Sequence, residues 1–212
     1  MTAKIYIEGG GDGHFLDTLF RQAWTAFFKS AGLPGMPRVV RGKGRRNTFD
    51  LFRTAVANPR PGELPLLLVD SEGPLTAGST PWQHLAARPD DQWERPAGAS
   101  DEQAFLMVQL METWFLADRD LLRRYFGPAL REEALRKWPV LEQVPKATVL
   151  AALDRATAAC PTVYAKGKVS FELLSRLNPA SVEQACPNAK RLLDRLRELG
   201  SPPAVALTLP GV

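Results

Sequence analysis

The run Leu64-Pro65-Leu66-Leu67-Leu68-Val69 constrains this chain more than any other segment. It is apolar throughout, short, and closed at once by Asp70-Ser71-Glu72-Gly73-Pro74. A strand that is apolar on both faces needs cover on both faces, as a central strand of a parallel sheet has between layers of helix. The upstream segments agree. Ala3–Ile7 predicts a first buried strand ended by Glu8. Phe15, Leu16, Leu19, Phe20, Ala23, Trp24 and Phe27 recur at helical spacing and predict a helix from His14 to Ser30, stopped by Gly32. Met36–Arg41 predicts a second strand, and Asn47 as N-cap predicts a helix over Thr48–Asn58 that Pro59 and Pro61 break. Strand, helix, strand, helix, strand is the order of a parallel sheet with helical crossovers.

Downstream, residues 73–100 carry Pro74, Pro81, Pro89 and Pro96 with little periodicity. A long loop is expected there, packed down by Trp82, His84 and Trp93, and loops of that length in compact domains usually bind or cover something. Ala104–Leu110 predicts a fourth strand and Glu112–Tyr125 a helix. Further helices are expected over Pro145–Ala158, Ser170–Arg176 and Pro187–Leu199, the last opened by its proline and closed by Gly200. The expected organisation is an α/β core of about four parallel strands over 1–126, a mostly helical C-terminal region over 127–200 packed on it, and a loose tail over 201–212.

Hydrophobic residues at 45% and charged residues at 24% describe an ordinary globular chain and exclude bulk disorder. The longest apolar run is far too short to span a bilayer, and the start Met-Thr-Ala-Lys-Ile-Tyr has no signal-peptide pattern, so a cytoplasmic protein without membrane association is expected. Cys160 and Cys186 have no metal-site spacing and read as reduced, buried residues. A net charge of +4 permits a phosphate-bearing partner.

Three acids fall at predicted carboxyl ends of strands: Glu8 after the first, Asp70 at the end of the third, and Glu72 two residues later. Open parallel sheets form their sites at that edge. Extended geometry would put Asp70 and Glu72 on one side with α-carbons roughly 6–7 Å apart. Carboxylates so close repel unless a cation lies between them, and hard oxygen ligands suit Mg²⁺ or Mn²⁺. The alternative is that Asp70 and Glu72 only shape a turn. Glu112 is either a further ligand or an acid favoured by a helix N-terminus.

Arg41, Lys43, Arg45 and Arg46, interleaved with Gly42 and Gly44, suit a nucleic-acid backbone or form a solvated loop. Gly9, Gly10 and Gly11 are expected to let a phosphate approach Glu8, although the stretch completes neither a Walker loop nor a dinucleotide fingerprint. Lys166 and Lys168 form a second basic pair. His14 and His84 read as structural, and no Gly-x-Ser-x-Gly elbow is present.

Ile5-Tyr6-Ile7-Glu8-Gly9-Gly10-Gly11-Asp12 together with Leu66-Leu67-Leu68-Val69-Asp70-Ser71-Glu72 resembles the Toprim signature, a Glu-Gly after one strand and an Asp-x-Asp after a later one. Met107–Asp118, Lys166–Phe171 and Pro187–Leu192 are similar to a bacterial Toprim-like family of unknown function, domain-of-unknown-function family 4276. The resemblance implies a Toprim-like Rossmannoid sheet. It implies Glu8 in acid–base chemistry or metal binding, Asp70 and Glu72 as metal ligands, and Lys168 as the better phosphate-stabilising lysine. The second acid is Glu72 where the signature has Asp, and its extra methylene carries the carboxylate outward. Toprim domains cut or join phosphodiesters, and relatives beside ATPases act in phage defence. The expectation is therefore a Mg²⁺- or Mn²⁺-dependent nuclease acting on DNA or RNA. The alternative is a non-catalytic or latent partner of an ATPase.

Overall fold

Strands β1 (Thr2–Ile7), β2 (Arg38–Arg41), β3 (Glu63–Asp70) and β4 (Ala104–Met107) pair in parallel in the order β2-β1-β3-β4. The structure is a computed structural model that describes residues 1–9 and 14–201. Strands β1 and β3 lie side by side in the centre, with Ile7 opposite Leu68. The α/β class with helices on a parallel sheet is as the sequence predicts.

Period-two alternation sends the strand residues into two cores. Ile5, Ile7, Leu66, Leu68, Phe105 and Met107 face the larger core, while Tyr6, Leu67, Val69, Ala104 and Leu106 face the smaller. Helix α1 (His14–Ser30) lies in the larger core and supplies Phe20, Trp24, Phe27 and Phe28, all buried. Helix α2 (Arg45–Ala57) covers the opposite face with Phe49 and Phe52. The C-terminal region adds helices α6 (Lys146–Thr157), α7 (Lys168–Leu174), α8 (Pro179–Ala185) and α9 (Pro187–Gly200). Helix α7 packs on α1, and α9 packs on β4 and β1. One continuous apolar cluster runs from Ala3 to Leu196, so the C-terminal helices share the core of the sheet. No helix among the described residues is long and apolar enough to cross a membrane. Both cysteines are unpaired and buried.

Several local expectations are corrected. Residues 73–100 contain helix α3 (Pro81–Ala87). Thr80 caps it, its hydroxyl accepting the Gln83 N–H while the Gln83 side chain accepts the Thr80 N–H, and Pro81 takes the first turn. Trp82 and Trp93 are buried, as expected for a segment packed down on the sheet. Helix α2 starts at Arg45 rather than Thr48, because Gly44 (φ +98°) turns the chain three residues earlier and leaves Asn47 inside the helix. The predicted helix over Glu112–Tyr125 is two, α4 (Glu112–Phe115) and α5 (Arg119–Phe126). Asp118 separates them: its carboxylate accepts the Leu121 N–H as an N-cap and also the Asn178 N–H. Strand β2 is shorter than Met36–Arg41 and β4 shorter than Ala104–Leu110. The expectations for Gly10, Gly11 and the tail beyond Ser201 fall outside the described residues.

Candidate functional site

The carboxyl ends of β1, β3 and β4 open into a cavity of about 370 Å³ lined by Glu8, Asp70, Glu72 and Glu112 together with Lys166. Leu16, Met107, Met111 and Phe171 form its apolar walls. The acids predicted from strand ends therefore converge, and Glu112 joins them from the start of α4.

Each acid is held differently. Glu8 follows β1, and its N–H donates to the Leu68 carbonyl. Its Oε2 accepts from Arg45 Nη1 at 2.9 Å and from the Asp70 N–H at 3.3 Å. Burial raises the Glu8 carboxyl above the ordinary range despite the opposing charge of Arg45. Asp70 ends β3, and its Oδ1 accepts the Met111 N–H at 2.9 Å. Burial pushes its carboxyl well above the carboxylate range, and the negative charges of Glu8, Glu112 and Glu72 push the same way. Glu72 does not continue the strand. It sits at φ +62°, the left-handed region that a non-glycine residue adopts at a cost, and its N–H donates to the Gln109 carbonyl. Strand alternation is thus not what places Asp70 and Glu72 together; the turn is. Glu112 is 3% exposed, and its Oε1 accepts from the Tyr164 hydroxyl at 2.7 Å. Burial, and then the Glu112 charge, hold the Tyr164 hydroxyl far above its ordinary range, so it stays a donor.

Three of the four carboxylates own a cation. Arg45 meets Glu8, Lys146 Nζ meets Glu72 Oε2, and Lys166 Nζ lies 3.5 Å from Glu112 Oε1. Asp70, a residue 9% exposed, is the exception: the charge of Lys166 acts on it, but no arginine or lysine side chain of the described residues forms an ion pair with its carboxylate. With their side chains as they stand, no three His, Cys, Asp or Glu residues among the described residues are set to hold a metal ion. The donor set itself, four carboxylates with no sulfur or imidazole, has the chemistry of a Mg²⁺ or Mn²⁺ site.

The predicted basic stretch divides. Arg41 is buried and paired with Asp17, and a Cβ on Gly9 would meet the Phe20 ring at 2.7 Å and Arg41 Nε at 3.2 Å. Arg45 is not on a mobile loop: it opens α2 and holds Glu8, the Asp70 carbonyl (2.6 Å) and, through two bonds, Asp91. Its guanidinium also lies over the Trp93 ring. Lys43 and Arg46 remain exposed, with long pairings of 3.5 Å to Asp17 and 3.6 Å to Asp50. Lys168 points to Glu172 at 3.8 Å and does not line the cavity, whereas Lys166 does. His84 donates through Nε2 to the Ser71 carbonyl, and Arg88 donates to that same carbonyl and to Asp91.

Sequence reasoning missed Asp91, Lys146 and Tyr164. Asp91 holds Arg45 and Arg88, and although burial opposes ionisation, hydrogen bonds and charge from those arginines lower its carboxyl below the usual range. Arg88 pairs with Asp91 locally, but nothing local marks the link of Asp91 to Arg45, 46 residues away, or that of Lys146 to Glu72, 74 residues away.

A family model described as a domain of unknown function, DUF4276, matches residues 7–197. The chain belongs to this family. The match takes in all four site acids and helix α7, whose Ser170 and Phe171 line the cavity. No curated protein matches the chain, and no solved structure does.

Proposed function

We propose that this family member is a Mg²⁺- or Mn²⁺-dependent phosphodiester hydrolase of Toprim type acting on DNA or RNA. Asp70 carries the reading. A buried carboxylate facing three others, opposed by the charge of Lys166 but in ion-pair contact with no arginine or lysine of the described residues, is costly to keep, and such groups concentrate where function requires them. Asp70, Glu72 and Glu8 would hold the ion, with Glu112 beside them. A divalent ion held there would polarise a phosphoryl oxygen and lower the pKa of bound water. Glu8, with its raised carboxyl and its orientation fixed by Arg45 and the Asp70 N–H, is the residue to accept a proton at the cavity edge. Lys166 is placed to offset phosphate charge, and exposed Lys43 and Arg46 to hold a strand. Arg41 and Arg45 serve the architecture.

The test is nicking of plasmid or cleavage of RNA with Mg²⁺ or Mn²⁺ by wild type, Glu8→Gln and Asp70→Asn. Metal-dependent cleavage lost in both variants supports the reading, and equal cleavage by all three removes it. A role in phage defence belongs to the same proposal, tested by plaque counts on cells expressing wild type or Asp70→Asn.

One observation favours a second reading, a latent partner of an ATPase: Glu8, Glu72 and Glu112 already have internal cations. On that reading the isolated chain is inert and cuts only when an ATPase partner is added.

A further inference from the structure

We infer that Lys146 is a built-in counter-ion of Glu72 that an incoming divalent cation displaces. The inference rests on the carboxylate-site reading above and adds a step of regulation to it.

The pair is built rather than incidental. Lys146 opens α6, its backbone N–H donates to Gln109 Oε1 at 3.1 Å, and its ammonium reaches Glu72 Oε2. Gln109 holds the other partner too, because its carbonyl accepts the Glu72 N–H at 2.8 Å. One residue of the β4–α4 connection thus fixes both ends of the ion pair. Glu72 is meanwhile kept at φ +62°, which turns the chain out of β3 beside Asp70. The Lys146 side chain is 34% exposed and the Glu72 side chain 22%, so the pair is weak enough to be exchanged.

Electrostatics set the direction of the exchange. Glu72 shares one cavity with Asp70, Glu8 and Glu112, so four carboxyl groups face the same space. A dication among four carboxylates gains far more from that field than a monovalent ammonium does at one of them. With its ammonium released, Lys146 remains tethered by its backbone to Gln109, at the rim where a phosphate would arrive.

The experiment is a calorimetric titration of Mg²⁺ and Mn²⁺ into full-length wild type, Lys146→Met and Lys146→Arg. It is paired with ¹⁵N-edited NMR of lysine ammonium groups during Mg²⁺ titration of wild type. The Lys146 signal is assigned by its absence from Lys146→Arg, and Lys190, paired with Asp194 on α9, is the remote control. The expected result is Mg²⁺ binding roughly two- to fivefold tighter in Lys146→Met, the scale of a partly exposed ion pair. The Lys146 signal should also move to the position of a solvated lysine at saturation while Lys190 stays still. Unchanged or weaker binding by Lys146→Met, or an unmoved Lys146 signal at saturation, overturns the exchange but leaves the metal site standing. No binding of either ion by any of the three proteins overturns the metal site, and the exchange with it.

Discussion

Asp70 Oδ1 accepts the backbone N–H of Met111 at 2.9 Å, a bond across 41 residues that joins the end of β3 to the start of α4. The bond brings Glu112, the next residue, to the same cavity as Asp70. It is also the side-chain hydrogen bond of Asp70 that an asparagine Oδ1 can keep, which makes Asp70→Asn a clean probe of charge.

Asp70→Asn is expected to stabilise the metal-free protein at neutral pH. Burial raises the folded-state pKa of Asp70, and burial also raises that of Glu8. The fold therefore favours their protonated forms. Their contribution to stability is fully present below the ordinary carboxylate range and is lost as pH rises through the raised values. Thermal melts without divalent ions should show Asp70→Asn melting about 2–4 °C above wild type at pH 7, equivalent to ~1 kcal/mol in a chain of this size. The gap should close near pH 4. A variant that melts lower than wild type at pH 7 would contradict the charge argument.

Arg45→Met is expected to destabilise by about 3 kcal/mol, as for one partner removed from a buried ion pair. It strips two bonds from Asp91, whose side chain is 2% exposed, and one each from Glu8 and the Asp70 carbonyl. The folded-state pKa of Asp91 is lowered, so its contribution is present above the ordinary carboxylate range and lost as pH falls through the lowered value. Urea unfolding should therefore show a deficit at pH 7 that shrinks in strong acid. A change under 1 kcal/mol at pH 7 would show that Arg45 is free for other work.

Lys43→Gln and Arg46→Gln should leave the melting temperature unchanged, since both side chains are exposed and weakly paired. Each is expected to weaken nucleic-acid binding and reduce the slope of log K against log salt by about 0.7–0.9. Fluorescence anisotropy with a labelled oligonucleotide over a salt series measures it. Unaltered slopes in both variants would move the binding surface elsewhere.

The elements that position the site were legible because their signals are local. The apolar runs of β1 and β3, the helical spacing from Phe15 to Phe27, and acids at strand ends each lie within one segment. Helix α3 was also legible in principle: Thr80-Pro81-Trp82-Gln83 is a capping box with proline in the first turn, but Pro81 together with the flanking Pro74, Pro89 and Pro96 reads as loop. The roles of the arginines were not legible. Whether Arg45 meets solvent or Asp91 depends on a turn 46 residues away, and a free cation has the same sequence as a buried one. The left-handed Glu72 was hidden similarly, since Asp-Ser-Glu-Gly-Pro offers Gly73 as the more natural residue for a positive φ.

Titration calorimetry of Mg²⁺ and Mn²⁺ into wild type and Asp70→Asn, at one pH near 7, tests the central claim most directly. The account predicts saturable one-site binding by wild type, with affinity for both ions reduced at least tenfold by Asp70→Asn. Equal affinities in the two proteins, or no heat of binding in wild type, would contradict it.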